Sequence, residues 1–122
     1  MLKKSVFAAF ALIAANVGIG AVYAHPVLQS TEPAAGKSSV PPKEIRIRFN
    51  ESVLSQFSGI ELKDQAGKTI FTGKAAKDPT NRKVLIVPLK VELSPGDYTV
   101  EWHAVSVDTH KVKGSYSFGV AR

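Results

Sequence analysis

The chain has 122 residues with a formal net charge of +6, and 44% of its residues are hydrophobic. It contains no cysteine, which excludes disulfide bonds and thiolate metal sites. Its basic residues are interleaved with acidic and apolar ones, which argues against a nucleic-acid partner and favours a mixed, solvated surface. We therefore expect one small domain.

The first 24 residues have the pattern of a secretory signal peptide. Lys3 and Lys4 form a positive segment, residues 6–22 are uncharged and largely apolar, and Val22-Tyr23-Ala24 suits cleavage after Ala24. Cleavage removes two lysines and no acidic residue, so the net charge of the mature domain, residues 25–122, falls to +4. No other apolar stretch approaches the ~20 residues of a membrane span. We expect a protein outside the cytoplasm that is not inserted in the membrane.

Cleavage after Ala24 would make His25 the N-terminal residue. A terminal histidine carries two metal-binding nitrogens, in its α-amine and its ring, close enough to chelate one ion. Pro26 has no backbone N–H, so such an ion could not also recruit the next amide. Further ligands would have to come from elsewhere in the fold.

The domain shows seven short segments in which the spacing of apolar residues predicts β-strands. They are 27–30, 44–50, 58–63, 68–72, 83–89, 98–104 and 112–120. Residues 73–82 are polar and predict a loop, and a slip in the apolar register predicts a bulge near 104–106. No helical pattern spans ten residues, so we predict an all-β fold, an antiparallel β-sandwich or Greek-key barrel.

Two candidate metal ligands lie between the last two predicted strands. Asp108 and His110 are two residues apart, and such residues point the same way in extended backbone. With the two nitrogens of His25 they would supply three nitrogens and one oxygen, which suits a tetragonal Cu(II) centre. Zn(II) and Ni(II) also fit these ligand types. The one methionine, Met1, belongs to the predicted signal peptide, so the mature domain offers no thioether for Cu(I).

Three blocks of sequence, in order along the chain, resemble those of CopC, a family of periplasmic copper-resistance proteins. They are HPVLQSTEPAAG at 25–36, IRFNE at 47–51 and WHAVSVDTH at 102–110. Further similarity follows at FSG (57–59) and GSYSF (114–118). The resemblance covers nearly the whole mature domain and implies an Ig-like β-sandwich in the periplasm.

The resemblance also implies a copper site and a partner. By position, His25, Asp108 and His110 match the Cu(II) ligands of the family, and Glu51 matches a glutamate at or near the copper in some members. Members with a second, Cu(I) site carry a methionine-rich segment, whereas residues 64–80 contain no methionine. The chain therefore resembles the Cu(II)-only type. By analogy, its protein partner is an inner-membrane copper-transport protein.

Two other functions stay open at this point. Terminal-histidine copper centres also occur in copper monooxygenases that oxidise polysaccharides, although a domain of 98 residues offers little substrate surface and Asp108 would occupy a position that oxygen chemistry needs open. A metal-free Ig-like interaction module is the second alternative, since this architecture hosts many binding roles. We expect copper binding without catalysis. His103 lies on the polar face of its strand and is not expected to be a ligand.

Overall fold

The structure, a computed structural model, describes residues 26–36 and 38–122. The predicted signal peptide and His25 lie outside the described residues. Within these ranges the chain forms nine strands and one 3₁₀ turn, and no helix there is long and apolar enough to span a membrane. The strands are β1 (Leu28–Glu32), β2 (Ser38–Ser39), β3 (Glu44–Phe49), β4 (Gly59–Asp64), β5 (Thr69–Ile70), β6 (Ala76–Asp78), β7 (Asn81–Pro88), β8 (Gly96–Val105) and β9 (Lys111–Val120), and the turn is Ser55–Phe57.

The strands form two sheets. One has the order β1-β3-β7-β6 and the other the order β2-β9-β8-β4-β5. Neighbouring strands pair antiparallel, except that the two-residue β2 runs parallel to β9. The predicted edge strand at 27–30 corresponds to β1, which lies at one edge of the first sheet.

The alternation of apolar residues builds one core between the sheets. On β3, Ile45, Ile47 and Phe49 are completely buried and belong to the same cluster as Val100 of β8 and Phe118 of β9. Each buried side chain of this size stabilises the fold by about 1.5–3 kcal/mol relative to exposure. Trp102 also packs on this cluster, with its ring edge-to-face to Phe49 at a centroid distance of 5.3 Å. Phe118 thus belongs to the core, and Trp102 is a partly buried side chain packed against it.

A tyrosine at the start of β8 fixes the corner at which the chain enters this strand. The Tyr98 hydroxyl donates a hydrogen bond of 2.7 Å to the carbonyl of Ser94, four residues upstream. Such a bond, from a tyrosine near the start of a strand back to the preceding corner, is a hallmark of Ig-like sandwiches. The predicted Ig-like β-sandwich is thereby confirmed.

The predicted loop at 73–82 contains a strand, β6, which the sequence did not reveal. β6 is three residues long and lies at a sheet edge, where it has no apolar face to produce an alternating pattern. It is held by Arg46 of β3, whose guanidinium donates to the carboxylate of Asp78 and, at 2.9 Å, to Glu44. Its backbone pairs with β7 and its Asp78 contacts Arg46, and neither interaction leaves an apolar alternation in the sequence, so hydrophobic periodicity could not predict it.

The predicted bulge near residues 104–106 is absent from the pairing of β8 with β9, which continues without a register shift to Val105 and Lys111. Ala104, Val105 and Ser106 are nevertheless buried in succession. The reason is that the segment before β4 lies along the end of β8. The Leu54 N–H donates to the Val105 carbonyl at 2.7 Å, and the Val105 N–H donates to Oγ of Ser58 at 3.0 Å.

Candidate metal centre

A tight hairpin connection joins β8 to β9 and carries two of the predicted ligands. The N–H of Ser106 donates to the carbonyl of His110 at 3.0 Å, and the N–H of Thr109 donates to the carbonyl of Ser106 at 2.9 Å. Thr109 has φ = 69°, in the left-handed region. A turn followed by one left-handed residue is a common three-residue hairpin loop, although a β-branched side chain is unusual at that position.

This turn brings Asp108 and His110 together. The Nδ1 atom of His110 lies 3.1 Å from Oδ2 of Asp108. Both side chains are less than half exposed to solvent, His110 at 41% and Asp108 at 46%. The predicted juxtaposition is therefore present, but the extended backbone from which it was argued is not. The turn and the left-handed Thr109 produce it instead.

The separation of these two atoms is compatible with two ligands of one metal ion. Nitrogen and oxygen ligands lie about 2.0–2.2 Å from a divalent first-row ion, so two of them at a right angle are about 3 Å apart. The hydrogen bond from Ser106, and then the neighbouring His110, hold the pKa of the Asp108 carboxyl below its usual range. Asp108 is therefore an ionised oxygen donor beside an imidazole nitrogen, a pair that suits Cu(II) and also Zn(II).

The N-terminal part of the described chain is tied to the end of β3. The N–H of Val27 donates to Oδ1 of Asn50 at 2.7 Å, and the N–H of Asn50 donates to the carbonyl of Val27 at 2.9 Å. Three residues beyond Asn50, Val53 forms a β-bridge with Ser106 at the base of the hairpin. These contacts join the start of the described chain to the end of β3, and the segment after β3 to the hairpin.

One predicted site residue within the described ranges, Glu51, is not joined to the hairpin pair. Glu51 follows Asn50 and is partly buried, but no group of three or more histidine, cysteine, aspartate and glutamate side chains is placed to hold a metal ion among residues 26–36 and 38–122. His25 lies outside the described residues, so its ligation, like that of Glu51, stays a prediction. His103 is exposed on the outer face of β8, with its ring against Gly59.

Sequence reasoning missed two residues that organise this end of the sandwich, Ser106 and Asn50. The hydroxyl of Ser106 donates to Oδ1 of Asp108 and accepts the N–H of His110 at 3.2 Å. A serine two residues before an aspartate is a weak signal of a local turn. Asn50 offered no signal at all, because its partner is 23 residues away.

Comparison with known proteins gives matches over most of the chain. The sequence model of the CopC domain matches residues 28–121. The chain is 39% identical over 118 residues to protein YobA of Escherichia coli (strain K12), covering 96% of this chain and 95% of that protein. It is 35% identical over 120 residues to copper resistance protein C of Pseudomonas syringae pv. tomato, covering 89% of this chain and 91% of that protein.

The fold is also similar to a solved structure of a copper protein. The crystal structure of PcoC, a methionine-rich copper resistance protein from Escherichia coli, superposes with a TM-score of 0.73 at 32% sequence identity. The match covers 80% of this chain and 99% of that chain. In contrast to a methionine-rich protein, this chain has a single methionine, at its first position.

Proposed function

The chain belongs to the CopC family of copper-resistance proteins, and from this premise we propose that it binds Cu(II) in the periplasm and sequesters it or delivers it to a partner. The observation that carries the proposal is the contact of 3.1 Å between Nδ1 of His110 and Oδ2 of Asp108. Residues 1–24 act as the signal peptide and residues 25–122 form the copper-binding domain. Its N-terminus, His25, provides the remaining nitrogens.

The oxidation state follows from the donor atoms that the chain has. Nitrogen and carboxylate oxygen suit Cu(II) in tetragonal geometry, whereas Cu(I) prefers thiolates and thioethers. The chain has no cysteine, and its one methionine lies in the proposed signal peptide. The lowered pKa of Asp108 keeps its carboxylate ionised in the metal-free protein. The Asp108 carboxylate can therefore bind Cu(II) at neutral pH without first losing a proton.

We assign no catalytic turnover to this site. With Asp108 and His110 both bound, two coordination positions are occupied from the hairpin alone, and His25 fills two more. A copper ion held by four protein atoms has no open equatorial position for oxygen chemistry. The role that fits is storage or transfer, and the proposed recipient is an inner-membrane copper-transport protein.

An electron paramagnetic resonance spectrum of the processed protein with one equivalent of Cu(II) tests this function. We expect a tetragonal signal with nitrogen hyperfine structure, altered in each of His25→Ala, Asp108→Ala and His110→Ala. His103→Ala is the matched control, because His103 is an exposed histidine on the same strand pair and its loss should leave the signal unchanged. A signal that is identical in all three ligand variants would contradict the assignment.

A further inference from the structure

Ser106 is a polar residue in an unusual place for a loop. It has 0% of its surface exposed, although it begins the connection that carries the half-exposed Asp108 and His110. It directly follows Val105, the last residue of β8, and forms an isolated β-bridge with Val53. A fully buried hydroxyl needs hydrogen-bond partners, because its contacts with water are lost on folding.

The partners of the Ser106 hydroxyl are the two proposed ligands themselves. The hydroxyl donates to Oδ1 of Asp108 and accepts the backbone N–H of His110 at 3.2 Å. Both its donor and an acceptor position are thereby used inside the hairpin.

The bond to Asp108 sets the orientation of the carboxylate. The terminal torsion of an aspartate is broad, so an unrestrained carboxylate samples many orientations. Here Ser106 holds Oδ1, and this leaves Oδ2 turned toward Nδ1 of His110 at 3.1 Å. One carboxylate oxygen is occupied by the protein and the other is presented beside the imidazole.

The backbone of Ser106 acts in the same direction. Its carbonyl accepts the N–H of Thr109 at 2.9 Å, and its N–H donates to the carbonyl of His110 at 3.0 Å. Ser106 is therefore bonded to each of the three residues 108–110. It connects the ligand-bearing turn to the end of β8.

We propose that Ser106 is a positioning residue that orients Asp108 and His110 for copper. Groups that hold metal ligands in place through hydrogen bonds change metal affinity by about 10-fold to 100-fold when they are removed. The inference rests on the proposed copper-binding function but concerns a residue that does not contact the metal ion. On this inference, the copper affinity of the site depends partly on the buried hydroxyl of Ser106.

The experiment compares Ser106→Ala with Ser58→Ala in the correctly processed protein. Ser58 is the matched control, because its hydroxyl also makes two hydrogen bonds, accepting from Val105 at 3.0 Å and donating to the carbonyl of Leu54 at 2.7 Å, without bonding Asp108 or His110. Cu(II) affinity is measured by competition titration and the site by its electron paramagnetic resonance spectrum. Amide hydrogen exchange of residues 108–110 is measured without copper.

We expect Ser106→Ala to bind Cu(II) about 10-fold to 100-fold more weakly, with changed copper hyperfine splitting and faster exchange of the His110 amide. Ser58→Ala should keep the wild-type spectrum and affinity. Wild-type affinity and spectrum in folded Ser106→Ala would overturn the inference. Failure of the wild-type protein to bind copper would instead reject the proposed function.

A further variant covers the case in which Ser106→Ala does not fold. Ser106→Thr keeps the hydroxyl on the same carbon and therefore keeps the donor to Asp108 and the acceptor for His110. We expect its copper spectrum to match that of the wild type. A folded Ser106→Thr protein with the spectrum of a site that has lost the Asp108 ligand, as defined by Asp108→Ala, would overturn the inference.

Discussion

Val27 and Asn50 are joined by two hydrogen bonds that run in opposite directions. The Val27 N–H donates to the side-chain oxygen of Asn50 at 2.7 Å, while the Asn50 N–H donates to the Val27 carbonyl at 2.9 Å. Val27 lies two residues after His25 in the chain, and Asn50 directly precedes Glu51. The contact therefore joins the segment that follows His25, one proposed ligand, to the segment that precedes Glu51, another.

Asn50→Ala should weaken Cu(II) binding, because it removes the side-chain oxygen that accepts the Val27 N–H. A hydrogen bond of this kind contributes about 1 kcal/mol, which corresponds to about a fivefold loss of affinity in a competition titration. Asn50→Asp retains the acceptor oxygen and should retain the affinity. Gln65→Ala is the control, because the Gln65 side chain likewise accepts a backbone N–H, from Asp97 at 3.2 Å, near the start of β8 and away from the hairpin. Equal affinities of Asn50→Ala and wild type would contradict this role.

An unprocessed or extended N-terminus should bind Cu(II) poorly. The α-amine of His25 exists only after cleavage following Ala24, so an added residue replaces it with an amide nitrogen that does not ligate in the same way. We expect the affinity to fall by about tenfold or more relative to the authentic mature protein. The two forms are compared by competition titration, with mass spectrometry to establish their first residue. Equal affinity would reject the terminal chelate while leaving the hairpin ligands in place.

Copper-free stability should depend on Asp108 in acid. Because the pKa of Asp108 is lowered in the folded protein from its ordinary value of 3.8, the unfolded chain binds this proton more tightly. The stabilisation is present above that ordinary value and is lost as the pH falls through the lower folded value. The free energy of unfolding of the wild type and of Asp108→Asn is measured in urea from about pH 6 to about pH 2. It should decline more steeply for the wild type at the acid end.

The wild-type and Asp108→Asn curves isolate this carboxylate from other acids. Asp78 also has a lowered pKa, chiefly from its hydrogen bonds with Thr80, but it is present in both proteins and its effect cancels in the difference. Parallel stability curves over the whole range would show that the Ser106 and His110 contacts do not stabilise the ionised form of Asp108.

Two glycines should respond differently to alanine. At Gly114 a Cβ atom would lie 2.7 Å from Cζ2 of Trp102, whose ring packs on the core and on Phe49, so the substitution should cost about 1–3 kcal/mol. At Gly59 a Cβ atom would lie 2.7 Å from Cε1 of His103, an exposed side chain that can rotate away, so the cost should be within about 0.5 kcal/mol. Urea unfolding measures both. Equal losses would show that the Trp102 ring gives way as readily as the His103 ring.

The strands that build the core were predictable, and the strands at the edges were less so. On β3 every second residue is apolar and buried, and on β8 the same alternation of apolar residues runs from Tyr98 to Ala104, with Trp102 only partly buried. Hydrophobic burial acts on each side chain by its own character, so its pattern is written in the sequence. β6 has no such pattern. It lies at the sheet edge, paired with β7, and its Asp78 contacts Arg46, 32 residues away.

The same division applies to the candidate site. By itself the sequence determined which atoms the chain has to offer a metal ion, namely nitrogens at His25 and His110, a carboxylate at Asp108, and no sulfur in residues 25–122. Only the tertiary structure decided how the hairpin donors are held. A left-handed Thr109 turns Asp108 toward His110, and a buried Ser106 holds both. Donor chemistry is a property of single residues, whereas orientation arises from hydrogen bonds whose partners folding must first bring together.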